Sequence, residues 1–388
     1  MALTAYSNTF PKLYITAETD DTSQFDQRTL KHWHEEGFDI EYIPFGNGGV
    51  EYTNVLKSLR VGLGMGEAFG IVAFGDAATA CLETFHKPPL KLAVMVAYYP
   101  TAIPDPKTPF PPGCNVLVHF AGASPSVGVT TTPVMLGLQG KRKTVKRRLP
   151  EGFGAGGIGE LAYPSYVYED AEPGFAEHDV QEYDKVASRL SWSRSLSTVR
   201  KAFGIEIDLE RVWEEHVELE FATKDADRTM ETMVRNPYVN HVPTLTGGIG
   251  KKELRRFYAE FFIPSNPPSL KMKLLSRTIG ADRVVDEMLL SFEHTQEMPW
   301  MLPGVPPTNK PVEVALVSVV CIRGEKLYHE HIYWDQASVL VQLGLIDPSL
   351  IPDAFKGKVK RLPVAGKESA RKVMDEESEP SNKLIEGW

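Results

Sequence analysis

Lys326-Leu-Tyr-His329-Glu-His331-Ile-Tyr333-Trp-Asp335-Gln336 has the alternation of a β-strand. Side chains in a strand point to opposite faces in turn. His329, His331, Tyr333 and Asp335 therefore share one side, and Glu330, Ile332 and Trp334 the other. Two imidazoles, a phenol and a carboxylate on one surface are groups that move protons. A solvent-facing edge strand that turns its polar residues outward accounts for the same spacing.

Two strand-like runs precede it, Arg283 to His294 and Val312 to Arg323, and Ala337 to Leu345 returns as a short helix. Further upstream the pattern is helical. Asp208 can cap a helix through Leu209, Val212, Trp213, His216 and Leu219. A second helix covers Ala226 to Val234, and Lys252 to Phe262 is amphipathic, with Leu254, Phe257, Tyr258 and Phe261 on one stripe. Asn236-Pro-Tyr-Val-Asn240-His241-Val-Pro reads as a loop of turn formers. Helices first and an antiparallel sheet afterwards make an α+β pattern.

The chemistry-bearing residues of this half follow from the same alternation. Asp286, Met288, Leu290, Phe292 and His294 share one face, apolar but for an acid and an imidazole, as a ligand pocket would be. A charged group among apolar neighbours has a shifted pKa and suits acid–base work. Capping of loops at the strand ends is the alternative role for Asp286 and His294. His241 lies between two Pro-containing turns, where it either acts on a ligand or fixes the loop. Arg277 offers a fixed cation for an anion, or a structural partner for Glu293 or Asp286. Tyr238, Trp300, Tyr333 and Trp334 add aromatic surface to enclose a ring. His329-x-His331, joined by Asp286 or His294, would make a two- or three-ligand fragment for a divalent ion.

This half resembles the SnoaL-like members of the nuclear-transport-factor-2-like superfamily. The resemblance rests on Asp282-Arg-Val-Val-Asp286-Glu, Leu302-Pro-Gly-Val-Pro-Pro-Thr308, Gly324-Glu-Lys and Trp334-Asp335-Gln-Ala-Ser-Val-Leu-Val-Gln342-Leu-Gly344, and spans roughly Leu209 to Pro348. It implies a cone-shaped α+β domain with a deep apolar pocket that works without metal or cofactor. The roles expected of these residues are Asp286 or Asp335 as base, His241, His294 or His331 as acid or proton shuttle, and Arg277 as anion stabiliser. Tyr238, Trp300, Tyr333 and His329 would contact the substrate. Pairing through the outer face of the sheet, as by Glu330, Ile332 and Trp334, implies a homodimer.

In the first half, the β-rich runs Lys12–Thr16, Asp39–Phe45, Gly70–Gly75, Leu92–Ala97, Asn115–Phe120 and Ser165–Tyr168 alternate with helical segments at Asp26–Glu36, Tyr52–Leu63 and beyond Ala77. Continuously apolar strands between helices indicate a buried parallel sheet. A long helix from about Val180 to Phe203 closes this half. Its strand-to-helix turn Val72-Ala-Phe-Gly75-Asp-Ala-Ala78 and its Tyr168-Glu-Asp-Ala171-Glu-Pro173-Gly174-Phe175 resemble the dienelactone hydrolase branch of the α/β-hydrolases. That family carries a Cys or Ser where this chain has Gly75, and a His where it has Pro173. Neither residue can attack a carbonyl or shuttle a proton. Asp76 and His178 stand near these positions, but only the apex side chain of such a turn points into the site. The expectation is a scaffold that has lost its triad.

Length and composition frame the rest. A chain of 388 residues calls for two domains, and 42% hydrophobic with 24% charged residues is ordinary for a globular protein. The net charge of −9 disfavours nucleic acid as a partner, and the basic run Lys141–Arg148 reads as a solvated loop. Cys81, Cys114 and Cys321 form no metal motif and read as thiols in a reducing, cytoplasmic setting. No secretory signal or membrane span is expected. Gly154-Ala-Gly156-Gly-Ile-Gly159 lacks the strand and helix that a dinucleotide site needs, so it reads as a surface loop. The expected division is an α/β-hydrolase-like domain at 1–204, an α+β SnoaL-like domain at 205–350 and a charged tail at 351–388, draped on the surface or disordered. The expected activity is cofactor-free isomerisation, cyclisation, dehydration or hydration of a small carbonyl-containing or aromatic metabolite. Lactone or ester hydrolysis in the first domain, or ligand binding or dimerisation without catalysis, are the alternatives.

Overall fold

The computed structural model describes residues 10–87, 91–123, 126–131, 134–135, 138–139, 143–148, 157–158 and 161–388. The chain forms two compact units, Met1–Ile207 and Asp208–Trp388.

The first unit is built on strands β1 (Lys12–Ala17), β2 (Asp39–Pro44), β3 (Phe69–Phe74), β4 (Leu92–Tyr98), β5 (Asn115–Ala121) and β6 (Ser165–Tyr168). They pair side by side in the order β6–β5–β4–β3–β1–β2, all parallel, and Gly157–Ile158 adds an antiparallel edge. Alternation sends Ile71, Ala73, Met95 and Ala97 into a core with α2 (Gly49–Ser58) and α3 (Gly75–Phe85). Val72, Phe74, Val94 and Val96 enter a second core with α1 (Gln27–Glu35) and α4 (Lys185–Phe203). Helices on both faces explain why these strands are apolar throughout. Asp184 caps α4 by accepting from the Val186 and Ala187 N–H groups at 2.8 and 2.7 Å, and Gly204 ends it in the left-handed conformation.

Gly75 opens α3 with φ of +56°, and a Cβ there would lie 2.4 Å from Glu18 Oε1. The same Glu18 oxygen accepts from the Asp76 N–H at 2.6 Å. His178 is tied to Asp26, its Nδ1 2.7 Å and its backbone N–H 2.9 Å from Oδ2. Of the basic run, Lys143–Arg148 forms a strand paired with Ser126–Thr131 rather than a loop, because backbone pairing needs no apolar face. Lys141, Arg142 and most of the glycine-rich segment, including Gly154 and Gly156, lie outside the described residues.

The second unit starts with α5 (Leu209–Glu218), capped by Asp208, and α6 (Ala226–Glu231). Strands β7 (Met233–His241) and β8 (Thr246–Ile249) lead to α7 (Gly250–Arg256). Strands β9 (Lys271–Ile279), β10 (Arg283–Glu293), β11 (Pro311–Arg323) and β12 (Lys326–Trp334) complete a sheet ordered β8–β7–β12–β11–β10–β9. Only β7 and β12 pair in parallel. The segment read as a loop around Asn236-Pro is β7, and the irregularity sits where Pro237 withholds a ladder donor, between Met233 and Tyr238. Two π-turns, Leu219–Thr223 and Phe257–Phe262, extend α5 and α7. The segment expected as a tail includes a helix, α9 (Lys367–Met374), which with α8 (Gln336–Leu343) packs on β11. Arg371 pairs with Glu313 at 3.1 Å, the Ser338 hydroxyl donates to the Gly366 carbonyl at 2.8 Å, and Ala370 is fully buried.

Candidate active site in the second unit

Between the sheet and the helices of the second unit lies a cavity of about 480 Å³, the size of a small-molecule pocket. The sheet contributes Asp286, Met288 and Leu290 from β10, Leu316 and Ser318 from β11, Glu330 and Ile332 from β12, and Val239 and His241 from β7. The helical wall contributes Trp213 from α5, Glu220, Phe221 and Ala222 from one π-turn, and Tyr258 and Phe262 from the other. Inserted helical residues of this kind are rare and recur at functional sites. Both segments of this type among the described residues carry cavity side chains.

Asp286 stands on β10 directly across from Arg277 on β9. A bulge between Leu274 and Ser276 absorbs one residue, so Met272, Leu274 and Arg277 reach the cavity although their numbers change parity. Arg277 forms a two-pronged pair with Asp286, Nε to Oδ1 at 2.7 Å and a terminal nitrogen to Oδ2 at 2.8 Å. The indole N–H of Trp213 donates to Oδ2 at 2.8 Å. Each carboxylate oxygen has two lone pairs, so Oδ2 is filled and Oδ1 keeps one free acceptor position. Glu210 and Glu214 engage the remaining arm of Arg277 at 2.7 and 2.9 Å. The hydrogen bonds to Asp286 hold the guanidinium firmly protonated despite its partial burial.

A second ionisable group lies two strands away. Glu330 is 3% exposed, and burial raises its carboxyl pKa against the opposing charge of His216, with Glu220 adding to the rise. His216 is fully buried, its Nε2 2.9 Å from Glu220 and 3.3 Å from Glu330. Burial disfavours its charge, yet the two carboxylates raise its pKa to about 10. Register places Asp286 opposite Ser318 and Ile332, whereas Glu330 lies opposite Val320 and Val284. Two strand spacings across and two residues along separate the Asp286 and Glu330 backbones by about 12 Å, which leaves room for a molecule between their side chains.

His241 forms part of an aromatic wall, 5.2 Å from Trp300 and 5.6 Å from Phe262 between ring centres. A carbonyl can only accept, so the contact of Nδ1 with the Thr246 carbonyl at 3.3 Å puts the proton on Nδ1 and leaves Nε2 as an acceptor. Burial pushes this imidazole down to about 4, against the charge of Glu220 and the Thr246 bond, so it is neutral at pH 7.

Of the residues singled out from the sequence, Asp286, Arg277, His241 and Trp300 meet in this cavity. The others do not line it. His329, His331 and Tyr333 do share a face, but it is the opposite one, where His331 stacks on His329 at 4.9 Å and meets Tyr238 edge-on at 5.4 Å. The cavity takes the alternate set, Glu330 and Ile332. A register shift between Cys321 and Ile322 makes Tyr328 the extra residue of the ladder at the start of β12, so which face turns inward cannot be counted from Lys326. Glu330, Ile332 and Trp334, expected at a subunit interface, are accordingly buried within the unit. Asp335 caps α8 by accepting from the Ala337 N–H at 3.0 Å. His294 follows β10 and ties down the loop after it, its Nδ1 accepting from the Thr308 N–H at 3.3 Å. His329, His331, His294 and Asp286 form no three-ligand cluster among the described residues. Sequence reasoning missed Trp213, Glu220, Tyr258, Ser318 and Glu330. The signal for part of this set was His216-x-x-x-Glu220, a helical i,i+4 pair.

Among solved structures, the chain is similar to TsrD from Streptomyces laurentii, at 16% identity over 36% of this chain and 100% of that one, with a TM-score of 0.30. It is similar to a protein described as a SnoaL-like polyketide cyclase from Jannaschia sp. CCS1, at 18% identity over 36% and 94%, with a TM-score of 0.28. It is also similar to SalBIII, an epoxide hydrolase/cyclase-like enzyme with a role in pyran ring formation in salinomycin, at 12% identity over 32% and 89%, with a TM-score of 0.25. No protein-family model and no curated protein matches the chain. No helix among the described residues is long and apolar enough to cross a membrane.

Proposed function

We propose that the second unit is a SnoaL-like acid–base enzyme acting on a small, largely apolar metabolite that carries a carbonyl group. The observation that supports this most is a pair of carboxyl groups in opposite settings facing one apolar cavity. Asp286 is clamped by a cation with one acceptor position free, and Glu330 is held towards its protonated form by burial. Paired acids with divergent environments divide the work of base and acid between them. In this reading Asp286 takes a proton from the carbon beside the carbonyl, and Glu330 gives its proton to the carbonyl oxygen. The resulting enol either closes a ring by attacking an electrophilic carbon or is reprotonated elsewhere, which isomerises the molecule. His216 stands beside Glu330 to restore its proton, and neutral His241 accepts from a substrate hydroxyl.

Metabolites that co-purify with the full chain supply the candidate substrate, whose conversion is followed by mass spectrometry. Asp286→Asn and Glu330→Gln should each lower turnover by roughly a hundredfold or more, the contribution of a positioned acid or base. Wild-type rates in both variants would refute the reading.

A further inference from the structure

His216, Glu220 and Glu330 bring one imidazole nitrogen and two carboxylate oxygens within 4.8 Å of one another, all on buried side chains. Thr232 decides which nitrogen is offered. Its hydroxyl donates to the Thr229 carbonyl at 2.7 Å, so it can only accept from His216 Nδ1–H at 2.6 Å. Nε2 is thereby aimed at the two carboxylates, and a positive species, proton or metal ion, must lie between them. Ligand atoms about 2.1 Å from an ion sit roughly 3.0 Å apart at a right angle and roughly 3.4 Å apart at a tetrahedral angle. The observed separations from Nε2 are 2.9 and 3.3 Å.

A second observation points the same way. The Tyr258 hydroxyl is fully buried, lines the same cavity and lies within reach of Glu220. Glu330 Oε1 lacks an aligned donor, despite its closeness to Nε2. Buried polar atoms rarely lack an aligned partner, and a bound ion is one reason they do.

We propose that His216, Glu220 and Glu330 hold a divalent first-row cation, with Zn²⁺ the best match, next to Tyr258 and open towards the cavity. Two carboxylates balance the ion's charge. One imidazole with two carboxylates suits zinc, and three protein ligands with an open position is the arrangement of catalytic rather than structural zinc. From that position the ion polarises a substrate carbonyl. Thr232 orients the imidazole, as hydrogen-bond partners of metal-bound histidines do. The ion takes the place of the proton between these groups, so with the ion bound Glu330 is a ligand and the ion, rather than a Glu330 proton, polarises the carbonyl; the proposal shares with the acid–base reading only Asp286 as base.

The full chain, stripped with a chelator, is titrated with Zn²⁺ alone by calorimetry and with Co²⁺ followed by visible absorption. One equivalent should bind. His216→Gln and Glu220→Gln should each weaken binding at least about a hundredfold, and Thr232→Val, which keeps every ligand, by about ten- to a hundredfold. Asp286→Asn should bind Zn²⁺ as the wild type does while losing turnover, which separates this proposal from the preceding one. Absence of stoichiometric binding overturns it, as does binding untouched by His216→Gln and Glu220→Gln. If these two variants do not fold, Thr232→Val decides, and unchanged affinity in that variant overturns the proposal.

Discussion

Replacing Asp286 by Asn keeps the shape of the side chain and removes its charge, and the cost to stability can be worked from its contacts. Asp286 is 1% exposed and accepts two hydrogen bonds from Arg277 and one from Trp213. The amide of Asn has one acceptor oxygen, and in either orientation its NH₂ group faces a guanidinium N–H of Arg277. At least one charge-assisted bond is lost, and such bonds are worth about 1.5–3 kcal/mol each. Breaking a buried ion pair costs about 3–5 kcal/mol when the remaining charge has no other partner. Arg277 is 12% exposed and keeps Glu210 and Glu214, so the lower part of that scale applies. The expected loss is about 2–3 kcal/mol, which at about 1.4 kcal/mol per factor of ten is roughly a 30- to 150-fold fall in protection. Hydrogen exchange of the slowest β10 and β11 amides measures it for the second unit alone. Protection within about threefold of wild type would show that Arg277 and Asp286 are not coupled as described. Loss of turnover without that loss of stability would make Asp286 a reacting group with no structural share.

Two further outcomes concern the first unit. Burial alone would raise the Asp26 carboxyl, but hydrogen bonds from His178 and Thr29 hold it well below the usual range. A depressed carboxyl contributes stability that is present above its unfolded value near 3.9 and lost as pH falls towards the folded value. Exchange of β3 amides should therefore speed up as pH drops below about 4, and Asp26→Asn should flatten that dependence; an unchanged slope would refute the pairing. Fluorophosphonate and iodoacetamide should leave the first unit without a stoichiometrically labelled nucleophile. Gly75 has no side chain to react, Cys81 is fully buried, and burial pushes the Cys114 thiol up to about 12. A label in this unit that abolishes turnover would contradict it.

The parallel sheet was legible because its strands are apolar on both faces, and β10 because acid and apolar residues alternate along it. What could not be read was set by partners distant in sequence. Pro237 marks an irregular strand as readily as a turn, and only its neighbours β8 and β12 make β7 a strand. Alternation grouped the residues of β12 correctly, yet the inward face was fixed by the register with β11 and by Val239 and His241 alongside. Glu330 looked like a surface residue because its partner His216 lies on a helix more than a hundred residues earlier. His241 and Arg277 were found because their residue types narrow the options even where the local structure is misread.

The bulge in β9 separates two properties that are usually linked, the length of a strand and the identity of what it presents. Before it, Leu274 faces Met288; after it, Ser276 faces Glu287 and Arg277 faces Asp286, so Leu275 is the surplus residue. Deleting that residue would restore a regular ladder and leave Arg277 opposite Asp286. The wall would lose local twist, and with it the curvature that sets the width of the cavity. A change of chain length at this point, on the open edge of the sheet, therefore resizes the chamber while its charged pair stays matched. Lineages that share this strand can diverge in the dimensions of the molecule they accept without first rebuilding the groups that act on it.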